Sequence, residues 1–96
     1  MKFLNTLQVD QEIVVENKTT VEIPGKVVLY NDDWHTFDEV IFQLMKAVNC
    51  SLVEARNYAF EVHFTGRAIV FSGGLIQCLK VSSVLEEIAL HTQVVT

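Results

Sequence analysis

Two capping boxes in succession constrain this chain more than any other feature. Thr36-Phe37-Asp38-Glu39 and Ser51-Leu52-Val53-Glu54 each place a hydroxyl residue three positions before a glutamate, so that side chain and backbone satisfy each other's free groups at a helix start. After the first box, Val40, Ile41, Leu44, Met45 and Val48 recur at helical spacing, which predicts a helix over residues 37–48. After the second, Ala55, Tyr58, Ala59 and Val62 keep one face apolar until Gly66 offers a C-terminal stop. A second helix therefore ends near His63 and Phe64.

Strand patterns flank this helix pair. Pro24-Gly25 punctuates the chain, and Lys26-Val27-Val28-Leu29-Tyr30 reads as a buried strand. Ala68-Ile69-Val70-Phe71 reads as a second strand, broken by Ser72-Gly73-Gly74. Leu75, Ile76, Leu79, Ser83, Val84, Glu87 and Ile88 suggest a third helix, and residues 92–96 a third short strand. The predicted class is α+β, with three helices over one face of a small three-stranded antiparallel sheet. Residues 1–24, rich in Val, Thr, Glu and Gln and without a strong helical period, are expected to form a flexible N-terminal extension or an edge strand. Residues 25–96 then make the one domain that 96 residues can support.

Composition narrows the function. The formal net charge is −5 and the lysines and arginines are scattered singly, so the basic stripe that nucleic acid requires is missing and no nucleic-acid partner is expected. Apolar runs are strand-sized, and the chain start reaches Gln8 and Asp10 before a signal-peptide core accumulates. The expectation is a soluble, cytoplasmic, monomeric protein that does not engage a membrane. Cys50 and Cys78 lie far apart in no ligand-spaced cluster and read as free thiols rather than a disulfide framework or zinc site. Neither has a sequence-defined base, and Ser72-Gly73-Gly74 lacks the lysine of a phosphate loop. No enzymatic step, cofactor or metal is expected.

The densest polar constellation is Asn31, Asp32, Asp33 and His35, with His63 at the end of the second helix as a distant partner. Brought together, these residues offer carboxylate, amide-carbonyl and imidazole acceptors to a cation with several N–H donors, such as an α-ammonium group. Phe37, Ala59 and Val62 would line an apolar pocket beside it. Plainer readings exist for each part. Asn-Asp-Asp is common turn chemistry, a histidine is favoured at a helix C-terminus, and the apolar spacings are those of any core. A divalent metal on Asp32, Asp33, His35 and His63 is a further alternative, although no recognised metal spacing is present.

Over residues 26–95 the chain resembles the ClpS family of N-degron adaptors. The family's strand followed by Asn-Asp-Asp appears as Val27-Val28-Leu29-Tyr30-Asn31-Asp32-Asp33, with Phe37, Val40, Ile41 and Leu44 continuing its first helix. Its second landmark appears as Val62-His63 with Gly66 and Ala68. The resemblance implies that Asn31, Asp32 and His63 hold a substrate's α-amino group, with Asp33 near the first peptide units. It implies that Phe37, Ala59, Val62 and Val94 or a neighbour line the pocket for a bulky first side chain, typically Leu, Phe, Tyr or Trp. It also implies delivery of N-degron substrates to the N-terminal domain of a Clp AAA+ unfoldase, contacted through Lys80 and aided by the N-terminal extension. An alternative within the family is an unfoldase regulator that does not read N-termini. Departures fall at Trp34-His35-Thr36-Phe37, where the family commonly has Tyr-Thr-Pro-Met, and at Ala59, where Met is frequent. The fold is shared with the C-terminal domain of the ribosomal stalk protein, which lacks the Asn-Asp-Asp and Val-His pair.

Overall fold

The computed structural model describes residues 22–96. Of the expected extension, only Glu22, Ile23 and Pro24 fall within them. The element order is β1 (Pro24–Tyr30), α1 (Phe37–Val48), α2 (Leu52–Thr65), β2 (Arg67–Gly74), α3 (Leu75–Glu86) and β3 (Thr92–Val95). The sheet runs β2-β1-β3, with both neighbours antiparallel to the central β1. This is the α+β arrangement expected from the pattern.

Both capping boxes form. Thr36 Oγ1 accepts the Glu39 N–H at 3.1 Å while the Glu39 carboxylate accepts the Thr36 N–H at 2.8 Å. Ser51 and Glu54 repeat the exchange at 3.1 and 3.0 Å. These bonds satisfy donors that would otherwise be orphaned at each helix start. At the far end of α2, Gly66 takes a φ of 93° and donates its N–H to the Val62 carbonyl at 2.9 Å. A side chain is disfavoured in that left-handed conformation, which is why glycine closes the helix.

The core lies between the sheet and the helices, where Leu29 from β1, Leu44 from α1 and Leu85 from α3 are fully buried. Each such side chain contributes about 1.5–3 kcal/mol relative to exposure. Small residues on α2, Ala55 and Ala59, are buried as well and let that helix approach closely. Among the described residues no helix is long and apolar enough to cross a membrane.

Three boundaries differ from the sequence pattern. Ser72-Gly73-Gly74 does not break β2, because Gly73 and Gly74 pair with Gly25 and Pro24 across the sheet. Consequently β1 begins at Pro24, and the Leu75 N–H bonds the Ile23 carbonyl at 2.7 Å, so the folded domain takes in residues assigned to the extension. A Cβ on Gly25 would lie 3.2 Å from Cys78 Sγ and 3.3 Å from the Val95 carbonyl. Glycine there lets β1 pass beneath α3. Finally, α3 stops at Glu86 rather than running to Ile88, since Ala89 turns the chain with a φ of 64°.

Candidate functional site

A pocket of about 440 Å³ opens between residues 31–36, the start of α1 and the last turns of α2. Its two walls are built differently. The loop wall begins where the Asn31 N–H bonds the Gly66 carbonyl at 2.9 Å, tying the end of β1 to the end of α2. Asp32 then folds the loop on itself, its Oδ1 accepting the N–H groups of Trp34 at 3.1 Å and His35 at 2.9 Å. This is the local side-chain-to-backbone bonding for which aspartate favours turns.

The other oxygen of Asp32 lies 2.6 Å from His35 Nδ1, and His35 Nε2 lies 2.6 Å from the Ile88 carbonyl. Both partners are acceptors when Asp32 is ionised, an arrangement satisfied on both sides by a doubly protonated ring, an imidazolium. Burial, with the His35 side chain 3% exposed, would by itself lower the imidazole pKa. The Asp32 carboxylate and the Ile88 carbonyl outweigh it and raise the pKa above its ordinary value. Burial likewise works against Asp32 ionisation, but the two N–H donors and the imidazolium hold its carboxyl below the usual range. Trp34 covers the ring with centroids 3.7 Å apart, a cation–π arrangement.

Asp32 thus spends three acceptor positions on the loop itself, out of about four that a carboxylate offers. Asp33 is exposed, and among the described residues no hydrogen bond engages its carboxylate. Asn31 and Asp33 present open acceptors on this wall, and Asp32 shapes it while keeping one acceptor position.

The helix wall is apolar with one polar tip. Phe37 and Val40 come from α1, and Ala59, Val62 and His63 from α2, where spacings of three and four residues bring side chains onto one face. Phe37 is 39% exposed, its ring edge-on to Phe60 at 5.2 Å and to His63 at 5.1 Å. His63 is exposed and makes no hydrogen bond among the described residues; Phe64 packs edge-on to it at 4.9 Å. A neutral imidazole here keeps a lone pair for an incoming donor. Ala59, buried where a longer residue would project, leaves the pocket its depth.

Asn31, Asp32, Asp33, Phe37, Ala59, Val62 and His63 are therefore gathered around one cavity. Val94 is not among its lining residues: it pairs opposite Val27 on β3 and packs against the core. Lys80 is exposed on α3. Val40 and Thr36 also line the pocket. The signal for Val40 was its place three residues after Phe37, on the same helix face. Among the described residues no group of three or more His, Cys, Asp or Glu side chains is placed to hold a metal ion.

Residues 22–93 match the family described as ATP-dependent Clp protease adaptor protein ClpS. E3 ubiquitin-protein ligase UBR2 of Homo sapiens is 41% identical over 58 residues, covering 60% of this chain and 3% of that protein. E3 ubiquitin-protein ligase UBR1 of Drosophila melanogaster is 36% identical over 70 residues, covering 72% of this chain and 4% of that protein. The chain thus spans only a few per cent of the length of these relatives. In fold it is similar to the structure of Agrobacterium tumefaciens ClpS2 bound to L-phenylalaninamide, with a TM-score of 0.70 and 19% identity over 74% of this chain and 93% of that one.

Proposed function

Because this chain belongs to the ClpS adaptor family, we propose that it binds the free α-amino group and bulky hydrophobic first side chain of N-degron substrates and delivers them to a Clp AAA+ unfoldase. The observation that carries this reading is the meeting of acceptors and apolar depth in one pocket: Asn31, Asp32, Asp33 and His63 stand at its polar end, and Phe37, Val40, Ala59 and Val62 line the rest. An α-ammonium group brings three donors to those acceptors. The side chain that follows gains about 1.5–3 kcal/mol if it is a buried Leu or Phe. The ClpS2 structure of similar fold holds L-phenylalaninamide, a ligand with both features.

The chain acts by binding and transfer, without a catalytic step of its own, in the cytoplasm. Lys80 on the exposed side of α3 is proposed as an unfoldase contact, leaving the pocket occupied by substrate during transfer.

Fluorescence anisotropy with labelled peptides that differ only at the first residue, Leu, Phe, Trp, Ile, Arg and acetyl-Leu, tests the reading. Free bulky N-termini should bind, and the acetylated peptide should bind far worse, because it loses the charge and leaves unpaired the acceptors that the ligand covers. Equal, weak binding of every peptide would overturn N-degron reading and leave an unfoldase regulator, to be sought by pull-down with Clp unfoldases.

A further inference from the structure

We propose that His35 is a positioning residue for the amine-binding loop: as an imidazolium strapped between Asp32 and the Ile88 carbonyl, it holds residues 31–36 against the turn that follows α3. The proposal deepens the N-degron reading and rests on it for its binding consequence. Its structural half stands independently.

The loop has few ties to the rest of the fold. Its first residue is fixed by the Asn31 to Gly66 bond and its last by the α1 capping box. Between them, the bonds of Asp32 run inside the loop. Among the described residues, the His35 to Ile88 bond is what joins the loop interior to another element. The anchor it reaches is itself braced: Gln43 of α1 donates to the Val84 carbonyl at 2.6 Å and to the Glu87 carboxylate at 3.2 Å, and Lys46 pairs with Glu87 at 2.8 Å. The strap therefore couples the loop wall to α1 and α3 together, and so fixes where the loop interior, Asp32 and Asp33, stands relative to the helix wall.

The strap works only while the ring is charged. A neutral imidazole has one N–H, so whichever nitrogen lost its proton would face an acceptor oxygen at a separation of 2.6 Å, lone pair against lone pair. The charged groups around the ring favour the cation. Asp32 faces it from the loop, Glu39 acts on it from α1, and the turn after α3 presents the Ile88 carbonyl, with neighbouring Glu87 already paired to Lys46. The pH dependence of the strap is therefore that of His35: it holds while the ring carries both protons and is released when one is lost.

A peptide's own α-amine titrates at about 7.7–8.0, which would blur an alkaline limb measured by binding alone. The test therefore starts with the free, full-length protein labelled for imidazole and amide NMR, titrated from mildly acidic to mildly alkaline pH. The expected result is that His35 carries protons on both nitrogens through neutrality, loses one above the ordinary imidazole range, and that amide signals of residues 31–36 and Ile88 move with the same midpoint. In His35→Gln that transition disappears, and a Phe-first peptide binds roughly tenfold more weakly with the ranking of first residues unchanged. A His35 midpoint at or below the ordinary range, or loop amides indifferent to it, overturns the proposal. If wild-type protein binds no free N-terminus at any pH, the N-degron reading fails, and the NMR titration still decides whether the strap exists.

Discussion

His35 and His63 stand on opposite walls of one pocket, and the contrast between them shows how tertiary position divides one residue type into two roles. The His35 side chain is buried with an acceptor on each ring nitrogen, so its chemistry is spent on the protein. His63 is exposed among aromatic rings at the end of α2, with no hydrogen bond among the described residues, so its chemistry is available to a ligand. Asp32 and Asp33 divide in the same way, the first bonded into the loop and the second open. A binding site of this kind has a wall that is held and a wall that holds.

The largest effect should come from cutting the held wall. His35→Ala leaves Oδ2 of Asp32 and the Ile88 carbonyl without their donor, and should lower unfolding stability by about 2–3 kcal/mol. His63→Ala should stay within about 0.5 kcal/mol of wild type. Urea denaturation of the two variants measures both, and equal losses would erase the distinction between the walls.

The converse experiment reads binding. His63→Ala and Asp33→Asn should each weaken a Leu-first or Phe-first peptide by about 1.5 kcal/mol, roughly tenfold, with the fold intact by circular dichroism. A loss of affinity from Asp32→Asn that comes without a loss of stability would reverse the assignment of the two carboxylates.

The pH dependence of stability sharpens the comparison further. His35 has a raised folded pKa, so its contribution is complete below the ordinary imidazole value and is lost as pH rises through the folded one. Asp32 has a lowered folded pKa, so its contribution is complete above the ordinary carboxylate value and is lost as pH falls through the folded one. Stability from this pair should form a plateau between those limits, with each flank falling by at most about 1.4 kcal/mol per pH unit for one proton. Thermal unfolding across pH should show the alkaline flank in wild type and not in His35→Gln.

The smallest effect concerns the rim of the helix wall. Phe60 packs edge-on to Phe37 at 5.2 Å, a contact worth about 0.5–1.5 kcal/mol. Phe60→Ala should free the Phe37 ring and change the ratio of Leu-first to Phe-first affinity by several-fold, while binding of the amine itself is little altered. An unchanged ratio would show that Phe37 keeps its place without Phe60.

Local chemistry was enough to write much of this molecule. The capping boxes at Thr36 and Ser51, the apolar spacing after each and the glycine at 66 locate α1 and α2 because each signal acts within a turn or two of backbone. Asn31, Asp32, Asp33, His35 and His63 stood out by residue type as a set of acceptors, whereas Phe37, Ala59 and Val62 fall at spacings that any core would use, and their place in a pocket followed from the resemblance to ClpS. What only the tertiary structure decided are the relations that span the chain. Gly73 and Gly74 belong to a strand because Gly25 and Pro24 come to lie opposite them, and Val94 packs into the core because β3 runs beside β1 opposite Val27. Asp32 and His35 become a strut because the second nitrogen of His35 meets a carbonyl 53 residues away. Hydrogen-bond partners and burial at such separations depend on how the layers pack, and no local pattern of residues encodes them.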